Sequence, residues 1–280
     1  MKLATLKDGR LVVISDNEYV PLEKVGFEGT MLDLIQAGTG KLESLAEVLK
    51  TASCSNSLDR ENLDAPLNNP SKIVAIGLNY VDHASESKME LPESPLVFTK
   101  FPSSITAPFG SIRIPENLTN EVDYEAELGV VIGRKAKNVP LNQALSYVFG
   151  YTVLNDVSAR DLQFGDKQWV RGKSLDTFCP MGPFIITADE IPDPQNLEIG
   201  CSVNGQTLQD ANTKDMIFNV ADLISQLSYS FTLEPGDIIA TGTPSGVGFS
   251  RKPPVLLKPG DTVKTWVKGI GELVNPVKKA

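Results

Sequence analysis

Residues 121–133, which read EVDYEAELGVVIG, decide the type of fold that we expect for this chain. Acidic residues at odd positions (Glu121, Asp123, Glu125 and Glu127) alternate with Val, Tyr and Ala at even positions. Because successive side chains of a β-strand point to opposite faces, all four carboxylates are predicted on one face. The second half of the stretch is wholly apolar, which is typical of a strand that enters a protein core.

Two of these acids have the spacing that a cation site needs. On a strand, the Cα atoms of Glu125 and Glu127 would lie roughly 6.5–7 Å apart. Their carboxylates could then meet on one divalent ion at about 2–2.5 Å each. Acidic residues are depleted in strands, and no basic residue separates these ones. A solvated strand face remains the alternative interpretation.

A third acid lies at the end of the next apolar segment, YTVLND, at residues 151–156. Asp156 would stand at the mouth of a buried strand, where a carboxylate can serve as a metal ligand. It would equally serve as the N-cap of a helix beginning in VSARDLQ, residues 157–163. The spacing alone leaves both interpretations open.

The rest of the chain predicts a mixed α/β, β-rich fold. Residues 1–68 are expected to form a small N-terminal α+β domain, with a hairpin turn at Asp8 and Gly9 followed by two helical segments. In residues 69–280, short β-rich segments alternate with turn residues, and the Asn204-Gly205 pair predicts a hairpin. Strands so closely spaced favour a β-sandwich or barrel over a doubly wound parallel sheet.

Composition limits the compartment and the partners. The 280 residues carry a net charge of −9, which argues against binding to nucleic acid. Without an apolar leader or a membrane-length apolar run, we expect no membrane association. Three widely spaced cysteines, Cys54, Cys179 and Cys201, argue against disulfides and thiolate metal sites, so a cytoplasmic location is expected.

The chain contains a single histidine, His83, in the segment GLNYVDHASE at residues 77–86. One histidine excludes HExxH and three-histidine zinc sites, so a bound metal would be Mg²⁺, Mn²⁺ or Ca²⁺ held by carboxylates. On a short helix over residues 79–90, His83 and Glu86 would share a face and could interact. A neighbouring carboxylate makes an imidazole a better general base. A solvated helix with a chance pair is the alternative interpretation.

Five segments in order resemble the fumarylacetoacetate hydrolase family. They are GLNYVDHASE (77–86), DYEAELGVVIG (123–133), LNDVSARDLQ (154–163), RGKSLDTFCPMGPFI (171–185) and GDIIATGTPSGVG (236–248). The resemblance extends from about residue 72 to the C-terminus, and it implies that family's β-sandwich roll or barrel for this part. The separate N-terminal segment is similar to that of the longer bacterial-type members.

The resemblance implies a role for each matching residue. The metal ligands would be Glu125, Glu127 and Asp156. His83 would be the general base, Glu86 the acid paired with it, and Lys173 the catalytic lysine. Arg160, Gln163 and Thr243 would contact the substrate. The segment that carries His83 would form a lid over the pocket.

The activity implied by the resemblance is a divalent-metal-dependent hydrolase with Mg²⁺ or Mn²⁺ as cofactor. Its substrate would be a small 2-oxo acid, an acylpyruvate or a related 2,4-dioxo acid, cleaved at a C–C bond through a metal-bound pyruvate enolate. The founding enzymes have a further aspartate ligand before the histidine, whereas this chain has only AIGLNY at residues 75–80. That departure favours acylpyruvase or 2-hydroxyhepta-2,4-diene-1,7-dioate isomerase-like members. A homodimer is also implied.

Three other functions remain open at this point. The same site could serve an oxaloacetate decarboxylase. It could serve a lyase or isomerase that acts on ureidoglycolate-like or dioxo-sugar acids. A protein that holds a cation without turnover is the alternative outside the enzymes, and the complete set of His83, Glu86, Lys173 and three carboxylates argues against it.

Overall fold

The computed structural model describes residues 1–50, 56–86 and 90–280. The strands are β1 (Lys2–Leu6), β2 (Leu11–Ser15), β3 (Glu18–Pro21), β4 (Asn56–Ser57), β5 (Leu63–Asp64), β6 (Ile73–Gly77), β7 (Leu96–Lys100), β8 (Ile105–Thr106), β9 (Ile112–Ile114), β10 (Val122–Asp123), β11 (Ala126–Ile132), β12 (Val148–Asn155), β13 (Ser158–Ala159), β14 (Cys179–Thr187), β15 (Glu198–Val203), β16 (Gln206–Asn212), β17 (Ile238–Ala240), β18 (Thr262–Val267) and β19 (Gly271–Lys279). The α-helices are α1 (Met31–Ala37), α2 (Thr39–Leu49), α3 (Val81–Glu86), α4 (Arg160–Asp166), α5 (Val170–Lys173) and α6 (Val220–Ser230). Short 3₁₀ helices cover Leu22–Val25, Arg60–Asn62, Pro102–Ser104, Leu141–Tyr147, Ala188–Glu190 and Thr213–Asp215. Cys54 and part of the predicted helix over residues 79–90 lie outside the described residues.

A large mixed sheet forms the centre of the molecule. Its main path among the described strands runs β4-β3-β2-β1-β14-β12-β11-β17-β6-β7. The antiparallel pair β11–β12 lies in the middle, and every residue of both strands is buried. Their near-continuous apolar sequences are what a strand covered on both faces requires. The predicted mixed α/β, β-rich fold is confirmed.

A second sheet closes the other side of the core. Its order is β16-β15-β18-β19-β9. The predicted hairpin is present between β15 and β16, where Asn204 and Gly205 have φ values of 51° and 81°. Both residues of such a tight turn need positive φ, which explains the Asn-Gly pair. Leu128 and Val130 of the first sheet share one buried cluster with Cys201 and Val263 of the second, so the two sheets form a sandwich.

The N-terminal strands continue the large sheet. The predicted hairpin is present, with Leu3 opposite Val13 on β2. On its other side β1 pairs with β14, where Leu3 lies opposite Ile185. The division into domains 1–68 and 69–280 stays a prediction, and these hydrogen bonds show that the two parts share one sheet.

The acidic stretch departs from the single strand that its alternation predicts. Strand β10 ends at Asp123 and β11 begins at Ala126, so Tyr124 and Glu125 belong to neither strand. The break occurs because β10 pairs with β13, whereas β11 pairs with β12. Of the four acids only Glu121 is exposed; the other three are buried.

Candidate active site

Strand register brings the three predicted ligands together. Ala126 at the start of β11 lies opposite Asn155 at the end of β12, and the Asp156 N–H donates to the Glu125 carbonyl at 2.9 Å. Ligand oxygens of Glu125, Glu127 and Asp156 all lie within 4.8 Å of one another, and the three side chains are buried. Two oxygens bound to one divalent ion at about 2.0–2.6 Å can be no more than roughly 4–5 Å apart, so this all-carboxylate donor set fits a hard divalent ion such as Mg²⁺, Mn²⁺ or Ca²⁺.

Asp156 is not a helix N-cap. Helix α4 begins at Arg160, and Ala159 occupies its N-cap position. The Asp156 carboxylate is held instead by two buried lysines, with Oδ1 2.6 Å from Lys100 Nζ and Oδ2 2.8 Å from Lys173 Nζ. The ligand interpretation is therefore the one that the geometry supports.

Buried charges around these carboxylates do not cancel. Counted over the described residues, four buried carboxylates face three buried cations, which leaves one excess negative charge if all are ionised. The carboxylates are Asp123, Glu125, Glu127 and Asp156, and the cations are Lys100, Arg160 and Lys173. An uncompensated buried charge is costly. A divalent cation would reverse the sign of the excess and leave the site attractive to an anion.

The pKa values of Glu125 and Glu127 are shifted in opposite directions. Burial, and then the charges of Asp156 and Glu125, raise the pKa of Glu127 well above its ordinary value. Burial would also raise the pKa of Glu125, but Lys173 and Arg160 outweigh it and lower that pKa. Within the described parts of the chain, Glu127 is the one of these four carboxylates without a cationic side chain at hydrogen-bond distance; its Oε2 accepts the Gly242 N–H at 2.9 Å.

Lys173 ends helix α5 and points into the carboxylates. Its Nζ lies 2.7 Å from Glu125 Oε2 and 5.2 Å from the centre of the Phe98 ring. Burial would lower the pKa of Lys173, but Asp156 and Glu125 outweigh it and raise the pKa. The side chain therefore carries a positive charge beside the space that a substrate anion would enter.

Arg160 begins helix α4, and the N–H donors of its planar guanidinium form a fork that binds neighbouring side chains. Its Nε and Nη2 donate to Asp123 Oδ2 at 3.0 and 2.8 Å, and its Nη1 donates to Gln163 Oε1 at 2.9 Å. Nη2 also lies 2.7 Å from Glu125 Oε1. Burial alone would lower the pKa of Arg160, and Asp123 and Glu125 outweigh it and raise that pKa.

We expect Arg160→Lys to lower the free energy of unfolding by about 2–4 kcal/mol, because an ammonium cannot replace this fork and would leave a buried charge poorly paired. Denaturant titration would measure the loss. The matched control is Arg171→Lys, since Arg171 makes a similar fork with Asp166 at the surface. That control should stay within error of the parent protein. Equal effects of the two substitutions would contradict the structural role given to Arg160.

His83 and Glu86 share the short helix α3, as the sequence predicts. His83 Nδ1 lies 3.7 Å from Glu86 Oε2, which is an ion-pair distance beyond hydrogen-bond reach. Among the described residues this buried nitrogen has no hydrogen-bond partner. Glu86 Oε2 accepts the Gly246 N–H at 3.0 Å. Burial would raise the pKa of Glu86, but His83 and the Gly246 amide outweigh it and lower that pKa, so the carboxylate anchors the helix in its charged form.

A cavity of about 290 Å³ lies between α3 and the carboxylates. Its polar lining comprises His83, Glu125, Arg160, Gln163, Lys173 and Thr243. Its aromatic lining comprises Phe98, Phe164, Trp169 and Phe249. A larger groove of about 850 Å³ runs past Trp266, and none of the predicted site residues lines it. The smaller cavity is therefore the candidate active site.

Two glycines let the loop after β17 approach this site. Gly242 and Gly246 have φ values of +94° and +99°, which favour glycine. A Cβ on Gly242 would stand 2.8 Å from Asn79 Cβ, and one on Gly246 would stand 2.1 Å from the Leu208 carbonyl oxygen. The close approach lets the Gly242 and Gly246 amides reach Glu127 and Glu86.

Three buried polar residues escaped prediction from the sequence. Lys100 donates a hydrogen bond to Asp156, Asp123 accepts from Arg160, and Gln209 donates to Thr243. Only Asp123 had a signal, because it belongs to the alternating acidic stretch. Lys100 and Gln209 lie at strand positions that show no motif, so only the fold reveals them. The aromatic lining was likewise not predicted.

Comparison with known families decides the relationship. The model described as fumarylacetoacetate (FAA) hydrolase C-terminal matches residues 72–278. This chain belongs to the fumarylacetoacetate hydrolase family. The match covers every residue singled out for the site and leaves residues 1–71 and the last two residues outside.

Relatives of the chain carry more than one activity in their names. The mitochondrial oxaloacetate tautomerase of Xenopus laevis is 50% identical over 241 residues, which cover 84% of this chain and 75% of that protein. A fumarylacetoacetate hydrolase structure from Exiguobacterium antarcticum has a TM-score of 0.89 at 38% identity, covering 100% of both chains. A maleylpyruvate hydrolase from Sphingobium, in complex with manganese(II) and pyruvate, has a TM-score of 0.85 at 30% identity, again covering 100% of both chains.

The expectation of a cytoplasmic protein is wrong on this comparison. Relatives from Xenopus laevis, Rattus norvegicus, Bos taurus and Homo sapiens are all named as mitochondrial. The expectation rested on cysteine usage, which argues against an oxidising compartment but does not choose among reducing ones. In the part of the chain that the structure describes, none of the helices has the length and apolar character needed to span a membrane.

Proposed function

We propose that this chain catalyses the interconversion of the keto and enol forms of oxaloacetate. The observation that carries this proposal is the 50% identity, over 84% of the chain, to a relative named oxaloacetate tautomerase. The hydrolase favoured by the sequence has weaker support, since the hydrolase with bound pyruvate is 30% identical. The oxaloacetate substrate had entered the sequence interpretation only through the decarboxylase alternative.

The reaction needs a base, an acid and a place for an anion. One proton leaves C3 of the keto form and one proton arrives on the C2 oxygen; the carbon skeleton stays intact and no water is consumed. Negative charge develops on the C2 oxygen as the C3 proton leaves. Fixed positive charge in a water-poor cavity stabilises such charge effectively.

The residues of the cavity can be matched to these needs. We assign His83 as the group that moves the C3 proton, because its buried Nδ1 is unpaired among the described residues and the side chain lines the cavity. Glu86 holds α3 to the loop at Gly246 and keeps a negative charge near the imidazole. Lys173 and Arg160 provide positive charge for the substrate carboxylates.

A metal completes the assignment. Glu125, Glu127 and Asp156 would hold Mg²⁺ or Mn²⁺, with Ca²⁺ as a further candidate, and the ion would act as a Lewis acid towards the 2-oxo acid. Lys100 and Lys173 position the two oxygens of Asp156, and the Gly242 amide positions Glu127. Gln163 and Thr243 remain candidate substrate contacts, because both line the cavity.

The test follows the ultraviolet absorbance of enol oxaloacetate freshly dissolved with Mn²⁺-loaded protein. We expect the enol signal to decay faster than with Mn²⁺ alone, while total oxaloacetate, measured with a coupled malate dehydrogenase, stays constant. Prior chelation should remove the acceleration. Pyruvate and CO₂ formed at the rate of enol loss would replace the proposal with a decarboxylase, and an unchanged decay would refute it.

Hydrolysis of an acylpyruvate is the second candidate, because the structural relative with manganese and pyruvate is a maleylpyruvate hydrolase. The same preparation should therefore be tested with acetylpyruvate and fumarylpyruvate. In the hydrolase, His83 would take its proton from water, and the products would be pyruvate and a carboxylic acid. Faster turnover of either acylpyruvate than of enol oxaloacetate would make hydrolysis the main activity.

We expect a homodimer, no nucleic-acid binding and no membrane binding. The net charge of −9 supports the second of these expectations. Light scattering coupled to size exclusion would measure the oligomeric state directly.

A further inference from the structure

Gln209, on strand β16 of the second sheet, reaches into the site although it lies outside the cavity lining. It is fully buried and pairs across the sheet with Cys201 on β15. Its Oε1 accepts the Ala126 N–H at 2.9 Å. Its Nε2 donates to Thr243 Oγ1 at 2.8 Å and to the Pro244 carbonyl at 2.9 Å.

These contacts leave only one orientation of the amide. A backbone N–H can only donate, so the group facing Ala126 must be the oxygen. A carbonyl can only accept, so the group facing Pro244 must be the nitrogen. Both hydrogens of Nε2 are then used, one of them on Thr243 Oγ1.

The orientation of Gln209 determines what the Thr243 hydroxyl can do. Because Oγ1 accepts from Gln209, its own hydrogen remains available to donate. Across the described residues no acceptor for that hydrogen is found, and Thr243 lines the cavity together with Lys173 and Arg160. An anionic oxygen placed in the cavity would be the partner that this donor lacks.

Gln209 also connects this donor to the metal ligands. Ala126, whose N–H it accepts, lies between Glu125 and Glu127. One side chain therefore joins the ligand-bearing strand to the loop that carries Thr243. We propose that Gln209 is a positioning residue, which turns the Thr243 hydroxyl into a directed donor for a carboxylate of the 2-oxo acid substrate.

This inference rests on the proposed function for the class of substrate, but its test does not require turnover. The probe is oxalate, a dianion that resembles the enolate of a 2-oxo acid. Calorimetry would measure oxalate binding to Mn²⁺-loaded protein for the parent, Thr243→Val, Gln209→Met and the double variant. Titration with Mn²⁺ alone would be run on each.

Each single substitution is expected to weaken oxalate binding on the order of tenfold, as for the loss of a hydrogen bond to a charged group. The double variant should bind no more weakly than the weaker single variant, because both changes remove the same donor. Mn²⁺ affinity should be unchanged, and Thr243→Ser should bind oxalate like the parent. Gln206→Met, at an exposed position on the same strand, is the matched control.

The proposal would be overturned if the losses of oxalate affinity in the two single variants multiply in the double variant, because Gln209 would then act independently of Thr243. A parallel loss of Mn²⁺ affinity in Gln209→Met would overturn it too, since Gln209 would then serve the ligand strand alone. If Gln209→Met does not fold, Thr243→Val alone tests the proposal. Unchanged oxalate binding by Thr243→Val would then refute the role of the Thr243 hydroxyl as a hydrogen-bond donor to the ligand. If oxalate binding follows the expected pattern but the protein shows no tautomerase activity, the proposed function is refuted and this inference still holds.

Discussion

Replacing Glu127 with glutamine is expected to lower the affinity for Mn²⁺ on the order of 10²–10³-fold and to remove measurable turnover of oxaloacetate. Divalent ions of this type favour charged carboxylate ligands, and a neutral amide supplies a weaker oxygen. Glu127 is also the carboxylate whose pKa is raised by burial and by the charges of Asp156 and Glu125, so a cation relieves more repulsion there than elsewhere. Titration with Mn²⁺, followed by electron paramagnetic resonance of the free ion, measures the affinity without activity.

The chain offers a matched control for this substitution. Glu121 belongs to the same acidic stretch, and its side chain is exposed. Glu121→Gln makes the same chemical change and should leave both Mn²⁺ affinity and turnover as in the parent protein. If Glu127→Gln binds Mn²⁺ as tightly as Glu121→Gln, the three carboxylates are not the metal site.

The second large effect is expected from His83→Gln, which should reduce kcat by about 10²–10⁴-fold, the range found when a general base is lost. Glutamine is similar in size and polar, but it cannot accept a proton in this pH range. His83 contacts none of the ligand carboxylates at hydrogen-bond distance, so Mn²⁺ affinity should be retained. Steady-state kinetics and the same Mn²⁺ titration separate the two properties.

Helix α3 also provides the control for His83. Asp82 is the adjacent residue and is exposed, so Asp82→Asn changes the helix without reaching the cavity. Its kcat should match that of the parent. A His83→Gln variant that turns over oxaloacetate within threefold of the Asp82→Asn variant would take the imidazole out of the mechanism.

The three candidate metal ligands stand out in the sequence, and the tertiary structure brings their carboxylates together. Glu127 lies within the otherwise apolar strand β11, Glu125 directly precedes that strand, and Asp156 directly follows β12. An ionised carboxylate at the end of a buried strand costs free energy unless a cation or hydrogen bonds compensate it, so an acid at such a position can be recognised in the sequence as a candidate ligand. The alternation of acidic and apolar residues predicted one strand, which is wrong in this respect. The stretch forms two strands, β10 and β11, because they pair with different partners, β13 and β12.

The activity within the family could not be predicted in the same way. A base, a cationic side chain and a metal site serve hydrolysis, decarboxylation and tautomerisation alike, because each passes through charge on the same oxygen. The motifs therefore favoured an acylpyruvate hydrolase, whereas relatives of high identity are named oxaloacetate tautomerase. The compartment was mistaken for a related reason: cysteine spacing reports only on disulfides.

By itself, the amino-acid sequence determined the mixed β-rich fold and the hairpin at Asn204-Gly205, because these depend on periodicity and on neighbours in the chain, and the order of its motifs determined the family. Glu125, Glu127 and Asp156 were candidate ligands in the sequence, and their convergence on one point depends on the fold. Only the tertiary structure placed Lys100 and Gln209 beside Asp156 and Thr243. Those contacts join residues 56 and 34 positions apart. Lys100 ends β7 and Asp156 follows β12 in the same large sheet, whereas Gln209 reaches Thr243 from the second sheet. Such contacts form because most polar groups that a fold buries need a hydrogen-bond partner, wherever the chain has brought one.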